Sequence, residues 1–559
     1  MQNRHFKHWP RGLSKQLTLP ETSLYYNLEV SATRYPHKPF VIFYGSTLTF
    51  AEFRRQVDAL AGFLQQHCGV GKRDRVLLYM QNSPQFMIGY YAILRADAMV
   101  VPVNPMNMSA ELAHYVSDSD AATALAGQEL YPQIAPYLGR GLNHLIVVAY
   151  ADYVAAPTDL KLPEAVAAPR KDLNGAGVVL WRDALASGAQ PGAHTAGPDD
   201  LCVMPYTSGT TGQPKGCIHT HRTVMSTTIG GAAWFGTATD ATVLGTLPMF
   251  HATAMQGVLN SPIYTGATVV LMQRWDRELA AQLMQRYRVT SWTNIATMAI
   301  DFLANPGLGD YDISSLRLIG GGGAAMPAAV AQKLLDLTGL EYIEGYGLSE
   351  TIAPTHINPP QRPIKQCLGI PIFDTDCRII NPDTLKEVGV GEVGEIVSYG
   401  PQVFKGYWKN PEATEQAFID IEGKKFFRTG DLARMDEDGY FFMVDRLKRM
   451  INASGLKVWP AEVEAMMYAH PDIQEACVIS TLDAYRGETV KAVLVLKTAS
   501  KGKVSAEDII EWCKGHMAAY KYPRIVEFVD SLPKSATGKV MWRQLQEQES
   551  AKAKSSNHG

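Results

Sequence analysis

The strongest constraint on the fold is an alternation of helical and strand patterning early in the chain. Leu48 to His67 places apolar residues at helical spacing, with a capped start expected near Thr49. Arg75 to Tyr79 reads as a buried strand, Pro84 to Arg95 as a helix, and Val100 to Val103 as a strand again. Strands joined through helices must cross over and run parallel, so this pattern predicts an α/β fold built on parallel sheets. From Glu392 the pattern changes. Short β-like runs at Gly394–Val397, Phe426–Arg428 and Tyr440–Val444, with turns such as Asp438-Gly439, predict a small, largely antiparallel, barrel-like part. After the charged interruption Asp445–Arg449, a helix is expected over Val463–Tyr468, strands over Glu475–Ser480 and Val490–Leu496, and a helix over Ala506–Met517.

At 559 residues the chain exceeds what one core usually holds. The boundary is expected near 446–448. It divides an N-terminal α/β domain, 1–446, from a smaller α+β domain, 447–559. Ala151 to Asp200 lacks sustained periodicity and is expected to be a surface excursion, and the polar tail after Gln544 is expected to fray.

Lys and Arg total 52 against 55 Asp and Glu, a balance that argues against a dedicated nucleic-acid binder. The seven cysteines are scattered, with no C-x-x-C pair, which points to a reducing, cytoplasmic setting and to no cysteine metal site. No apolar segment follows the basic N-terminal residues, so no signal peptide is expected. The most apolar stretch, Phe86 to Val103, contains Arg95 and Asp97 and is too short to span a bilayer. Peripheral contact with the inner membrane face stays open.

Glycine placement carries the chemistry. In Tyr206-Thr207-Ser208-Gly209-Thr210-Thr211-Gly212-Gln213-Pro214-Lys215-Gly216, hydroxyl residues alternate with glycine and lead to a lysine. Backbone N–H groups, hydroxyls and an ammonium together suit a polyphosphate. This is not a Walker A loop, because Pro214 precedes the lysine and Gly216 follows it. Gly320, Gly322 and Ala325 in the run Gly320-Gly321-Gly322-Gly323-Ala324-Ala325 satisfy G-x-G-x-x-A, with Glu341 and Glu344 near the acidic offset. That admits a nicotinamide-dependent oxidoreductase, a plain strand–helix turn, or the wall of another nucleotide pocket. In Glu344-Gly345-Tyr346-Gly347-Leu348-Ser349-Glu350, an aromatic between glycines can face a purine, and a hydroxyl and a carboxylate can serve phosphate and Mg²⁺.

These motifs, taken in order, resemble the adenylate-forming superfamily of acyl-CoA synthetases and firefly luciferase. The resemblance runs from about Leu48 to Leu545. It adds Pro248-Met249-Phe250-His251, Arg428-Thr429-Gly430-Asp431, Asp445-Arg446-Leu447-Lys448 and Leu532-Pro533-Lys534-Ser535-Ala536-Thr537-Gly538-Lys539. Within the superfamily the chain is most similar to bacterial long-chain fatty acid–CoA ligases, through EGYGLSE followed by Ile357-Asn358-Pro359 and through Gly400-Pro401-Gln402-Val403 leading to Gly406-Tyr407-Trp408.

The resemblance implies two half-reactions, with ATP and CoA as co-substrates and Mg²⁺ as cofactor. A carboxylate attacks the α-phosphate of ATP, releasing pyrophosphate, and the CoA thiol then displaces AMP from the acyl-adenylate. Lys539 would bridge the two anions. Thr207, Ser208, Gly209, Thr210, Thr211, Gly212 and Lys215 would cradle the β- and γ-phosphates, and Glu350 would hold Mg²⁺. Gly322, Gly323, Ala324, Tyr346, Gly347 and Ser349 would line the nucleotide pocket. Asp431 would accept both ribose hydroxyls, with Arg446 reaching the ribose or phosphate. Lys448 would be the hinge, and Gly455 would come over the pantetheine tunnel. His251 would line the acyl pocket, with Trp234 and Phe235 as neighbours. An aspartate at the position of His251 marks amino-acid-activating relatives, so an α-amino acid substrate is disfavoured. Ser349 stands where threonine is commoner and keeps the hydroxyl; Asn452 stands where a basic residue is common. No carrier-protein motif follows residue 545, which favours free CoA. The expected function is a ligase for a medium- to long-chain fatty acid, with an aryl or short-chain acid as the alternative. A non-catalytic adenylate binder would lack Lys539, Glu350 or Asp431, and all three are present. A homodimer stays open.

Overall fold

The computed structural model describes residues 3–154, 157–207, 213–323, 325–453, 456–483, 487–535 and 540–556. The chain forms two compact units, one of residues 1–377 with 398–427 and one of 378–397 with 428–559.

The first unit contains two large sheets. In the larger, the strands Tyr342–Tyr346, Leu318–Gly322, Ser291–Asn294, Thr242–Gly245, Thr268–Leu271 and Pro39–Phe43 lie side by side in that order and run parallel. Antiparallel strands His356–Ile357, Ile370–Pro371 and Ser46–Thr49 finish its edges. The second sheet is also parallel through Leu201–Val203, Met99–Pro102, Arg75–Tyr79, Thr123–Gly127, His144–Val148 and Val178–Leu180. The helix Pro84–Arg95 is buried at every position except Arg95 and belongs to a core that includes residues of both sheets, such as Phe40 and Leu78. The helix Phe50–His67 begins as its sequence predicts. Thr49 accepts from the Glu52 amide at 3.3 Å, and the Glu52 carboxylate accepts from the Thr49 amide at 2.9 Å, a reciprocal cap.

Two stretches differ from expectation. Within 151–200, the strand Val178–Leu180 extends the second sheet and Trp181 is fully buried. These elements are too short to show periodicity. The polar tail is a helix, Trp542–Ser556, in which Gln546 accepts from the Ser480 amide at 2.9 Å and Glu549 pairs with Lys491 at 2.6 Å. Trp542 and Leu545 add apolar packing, but beyond them the anchoring is polar, so its composition reads as solvent-exposed.

The second unit carries an antiparallel sheet of Leu456–Val458, Ile451–Ala453, Gly487–Leu496 and Ile473–Asp483, with Ile525–Phe528 added in parallel. Val478 and Leu494 belong to the core cluster that takes in Ile509 and Cys513 of the helix Ala506–His516. Cys477 and Val493 belong to another, with Trp542 packed against it. The antiparallel part seen in the sequence appears as Phe418–Ile421 against 424–427 in the first unit, and 431–435 against Phe441–Arg446 in the second. Among the described residues, no helix is long and apolar enough to cross a membrane.

One side-chain cluster has the order of an acyl-transfer triad. Ser23 Oγ lies 2.6 Å from His194 Nε2, and His194 Nδ1 lies 2.6 Å from Asp97. Ser23 is only 2% exposed, and the next amide, Leu24 N–H, donates to His221. With its nucleophile enclosed and that donor occupied, the cluster acts as a lock holding the helix Leu24–Arg34 to the segment around His194.

Candidate active site

A two-residue hairpin pairing brackets the glycine- and hydroxyl-rich loop. Thr207 pairs with Lys215 and Tyr206 with Gly216. Ser208, Gly209, Thr210, Thr211 and Gly212 lie outside the described residues. Gly216 is required at the neck, because a Cβ there would sit 2.7 Å from Met204 Sδ and 3.3 Å from Trp408 Cβ.

The chain leaving the loop pairs with a segment far away in sequence. Trp408 N–H donates to Gly216 O at 2.8 Å, Ile218 N–H to Gly406 O at 3.0 Å and Lys405 N–H to Ile218 O at 2.9 Å. Phe404 N–H donates to Glu350 O at 2.8 Å. The pairing places Tyr407 between two of the expected site residues. Its hydroxyl donates to Glu350 Oε1 at 2.9 Å, and Lys215 Nζ stands 5.1 Å from the centre of its ring. Burial, and then the Glu350 charge, push the Tyr407 hydroxyl far above its ordinary value, so it stays a donor. Sequence reasoning assigned Tyr407 no role. Gly406-Tyr407-Trp408 stood out as a family echo, but only the long-range pairing puts the ring beside Lys215 and Glu350.

Glu350 is 8% exposed and lies in the turn Ser349–Thr351. His219 holds this turn by donating from Nε2 to Ser349 O at 2.8 Å. Burial lowers the His219 pKa to about 4, so it does so as a neutral imidazole. A lone carboxylate fits Mg²⁺ bound with a nucleotide, which usually takes one or two carboxylates plus phosphate oxygens. Among the described residues no group of three or more acidic, His or Cys side chains could hold a metal by itself.

Tyr346 ends its strand with its ring 5.6 Å from His356. Gly347 must be glycine, since a Cβ would lie 2.8 Å from Pro354 Cα. Gly320 and Gly322 lie within the strand Leu318–Gly322, and the next helix begins only at Ala328. A dinucleotide fingerprint needs its glycines at the strand–helix turn. Here a Cβ on Gly321 would come within 1.8 Å of Asn294 O, so close packing against neighbouring strands accounts for these glycines. Gly323 does turn, at φ 85°, and Ala324 lies outside the described residues. His251 precedes the short helix Ala252–Ala254, its ring 4.2 Å from that of Phe250. Trp234 is in an aromatic cluster, 5.0 Å from Trp9 and 5.6 Å from Phe373, and its indole donates to Asn358 O at 3.1 Å.

Glu344 is a buried acid beside these strands. It accepts from Gln366 N–H at 2.7 Å and Met326 N–H at 3.2 Å, while burial raises its pKa to about 7.

In the second unit, Asp431 and Arg446 are cross-strand partners with an ion pair of 3.1 Å, and Asp431 is 1% exposed. Glu395 accepts from Gly430 N–H at 3.0 Å and from Arg428 Nε at 3.0 Å, which fixes the turn before Asp431. The Lys448 backbone lies in the turn Leu447–Arg449. Its side chain, Gly455 and Lys539 lie outside the description.

The AMP-binding enzyme family matches residues 28–408, and the AMP-binding enzyme C-terminal domain matches 462–539. The chain belongs to this family, and its motif resemblance to adenylate-forming acyl-CoA ligases stands. It is 34% identical over 552 residues to a long-chain-fatty-acid–CoA ligase of Bacillus subtilis, covering 97% of each chain. It is 34% identical over 509 residues to a feruloyl-CoA synthase of an Amycolatopsis species, covering 90% of this chain and 95% of that one. The crystal structure of ATP-bound MatB from Rhodopseudomonas palustris superposes with a TM-score of 0.84 at 26% identity, covering 95% of this chain and 99% of that one.

Tyr407→Phe keeps the ring and removes only the donor to Glu350. It is expected to weaken Mg²⁺-dependent ATP binding about tenfold, as calorimetry would measure, since a hydrogen bond to a charged group contributes about 1.5–3 kcal/mol. Unchanged ATP binding would mean that Glu350 is oriented without it.

For Glu344 the folded pKa, about 7, lies above the ordinary 4.5. Its stabilising contribution is therefore complete below about pH 4.5 and lost as pH rises through about 7. Across that window the unfolding temperature of the wild type should fall relative to that of Glu344→Gln; parallel curves would count against it.

Proposed function

We propose that this chain is an ATP-dependent acid–thiol ligase. It converts a medium- to long-chain fatty acid to an acyl-adenylate with pyrophosphate release, then passes the acyl group to CoA with release of AMP. The observation that carries the reading is the meeting of Lys215 and Glu350 at Tyr407, at the neck of a loop built from phosphate-binding residue types.

The first half-reaction must bring two anions together. Lys539 offsets their repulsion by bridging carboxylate and phosphate oxygens, and Thr207 to Lys215 donate to the β- and γ-phosphates. Glu350 would hold Mg²⁺, which supplies charge neutralisation on the phosphates when bound. Tyr346, Gly347, Ser349 and the segment Gly322–Ala324 line the nucleotide site. Asp431 orients the ribose, and its pairing with Arg446 aims the carboxylate. For the second half-reaction, the domain 447–559 turns about Lys448. This withdraws Lys539 and brings Gly455 over the pantetheine tunnel. His251 beside Phe250 gives the acyl pocket an aromatic wall. The Bacillus subtilis relative supports a fatty acid as substrate. The feruloyl-CoA synthase, equally identical over a similar length, supports an aryl acid as the second reading. Seven free cysteines, five of them buried, support a cytoplasmic setting.

The test is pyrophosphate release against a panel of fatty and aryl acids, using wild type and Lys539→Ala. Fatty acids should give the highest kcat/KM. The variant should lose adenylate formation by about a hundredfold or more, yet still thioesterify supplied acyl-AMP. Equal loss of both halves would remove Lys539 from its role, and release with aryl acids alone would select the second reading.

A further inference from the structure

The two ends of the phosphate loop are gripped by a helix that no motif marks. In Ser109–Ser119, His114 and Asp118 are four residues apart and share one face. His114 donates from Nε2 to Pro214 O at 2.7 Å, where the chain leaves the loop. Asp118 accepts from the Tyr206 hydroxyl at 2.6 Å, where the chain enters it. Asp118 O also accepts from the Trp408 indole at 2.9 Å, which ties in the segment carrying Tyr407. The rings of His114 and Tyr115 lie 6.0 Å and 4.6 Å from that of Tyr206. Burial, and then Asp118, push the Tyr206 hydroxyl far up, so it remains the donor in this pair.

The helix does not need these polar links to stay in place. Leu112 and Val116 are buried on its other side and, with Tyr115, belong to the core of the second sheet. His114 and Asp118 are only half-buried and contact the loop neck instead. Ordering a ligand-binding segment costs conformational entropy, and fixing its two ends beforehand lowers that cost.

We propose that His114 and Asp118 form a staple that preorganises the loop for polyphosphate, acting as positioning residues through Pro214 and Tyr206. This rests on reading residues 207–215 as the phosphate cradle. The staple makes ATP affinity depend on a helix lying about a hundred residues earlier in the chain.

The test compares full-length wild type, His114→Leu and His114→Gln. Leucine removes the donor; glutamine carries a side-chain amide donor that can replace the histidine Nε2. For His114→Leu, calorimetry with Mg·ATP should show about tenfold weaker binding. Amide exchange in the 207–215 peptide of the ATP-free protein should be faster, and the KM for the carboxylic acid should not change. His114→Gln should recover most of the ATP affinity. Unchanged affinity and exchange in His114→Leu would overturn the staple. So would an equal rise in both KM values, or no recovery with glutamine. Wild-type protein that takes up no ATP would overturn the phosphate-cradle reading instead, while the exchange comparison would still decide the staple.

Discussion

The site in the first unit depends on one non-local pairing, that of Gly216–Ile218 with Phe404–Trp408. Four backbone hydrogen bonds of 2.8–3.0 Å link residues 404–408 to that segment and to Glu350 O. They bring together the lysine that follows the glycine- and hydroxyl-rich loop, a carboxylate in a tight turn and a tyrosine that contacts both. None of the three side chains would face the others without that pairing. Much of the remaining structure of the unit supports it. The parallel strands set the turn that carries Glu350, and His219 holds that turn as a neutral donor.

The second unit solves a similar problem with a cross-strand pair. Asp431 is almost wholly enclosed, and taking a carboxylate out of water is costly unless it is paired and hydrogen-bonded. Arg446 supplies the partner, and Glu395 fixes the turn ahead of it. A few residues on, Arg449 pairs with Glu464 and lies 3.8 Å from Asp445, while Asp445 accepts from Ala461 N–H at 2.7 Å. The segment around Lys448 is thus flanked by a buried ionic cluster that anchors it to the helix Pro460–Met467.

Much of this was legible in the sequence because it is local. The strand Arg75–Tyr79, the helix Pro84–Arg95 and the cap at Thr49 follow from periodicity and capping chemistry alone. Elements defined by distant partners were not. The strand Ile473–Asp483 runs beyond its apolar centre because Gly487–Leu496 continues the ladder to Asp483. Val178–Leu180 is a strand only because His144–Val148 offers it an edge. Beyond Trp542 and Leu545, the tail helix is held by Gln546 and Glu549, residues that look solvent-facing in isolation. The same division applies to the site. Motifs name Lys215, Glu350 and Asp431, but Tyr407, His114 and Asp118 are identified by what they touch. The glycines at 320–322 fit two motifs equally well, and only their place inside a hydrogen-bonded strand separates packing from dinucleotide binding.

The central claim is that a carboxylate oxygen attacks the α-phosphate of ATP. Supplying a fatty acid labelled with ¹⁸O in both carboxyl oxygens, with ATP, Mg²⁺ and CoA, tests this directly. Attack at the α-phosphate leaves one carboxyl oxygen on AMP when the thioester forms, so mass spectrometry should find a single ¹⁸O in AMP. Unlabelled AMP, or label in inorganic phosphate instead, would contradict the account.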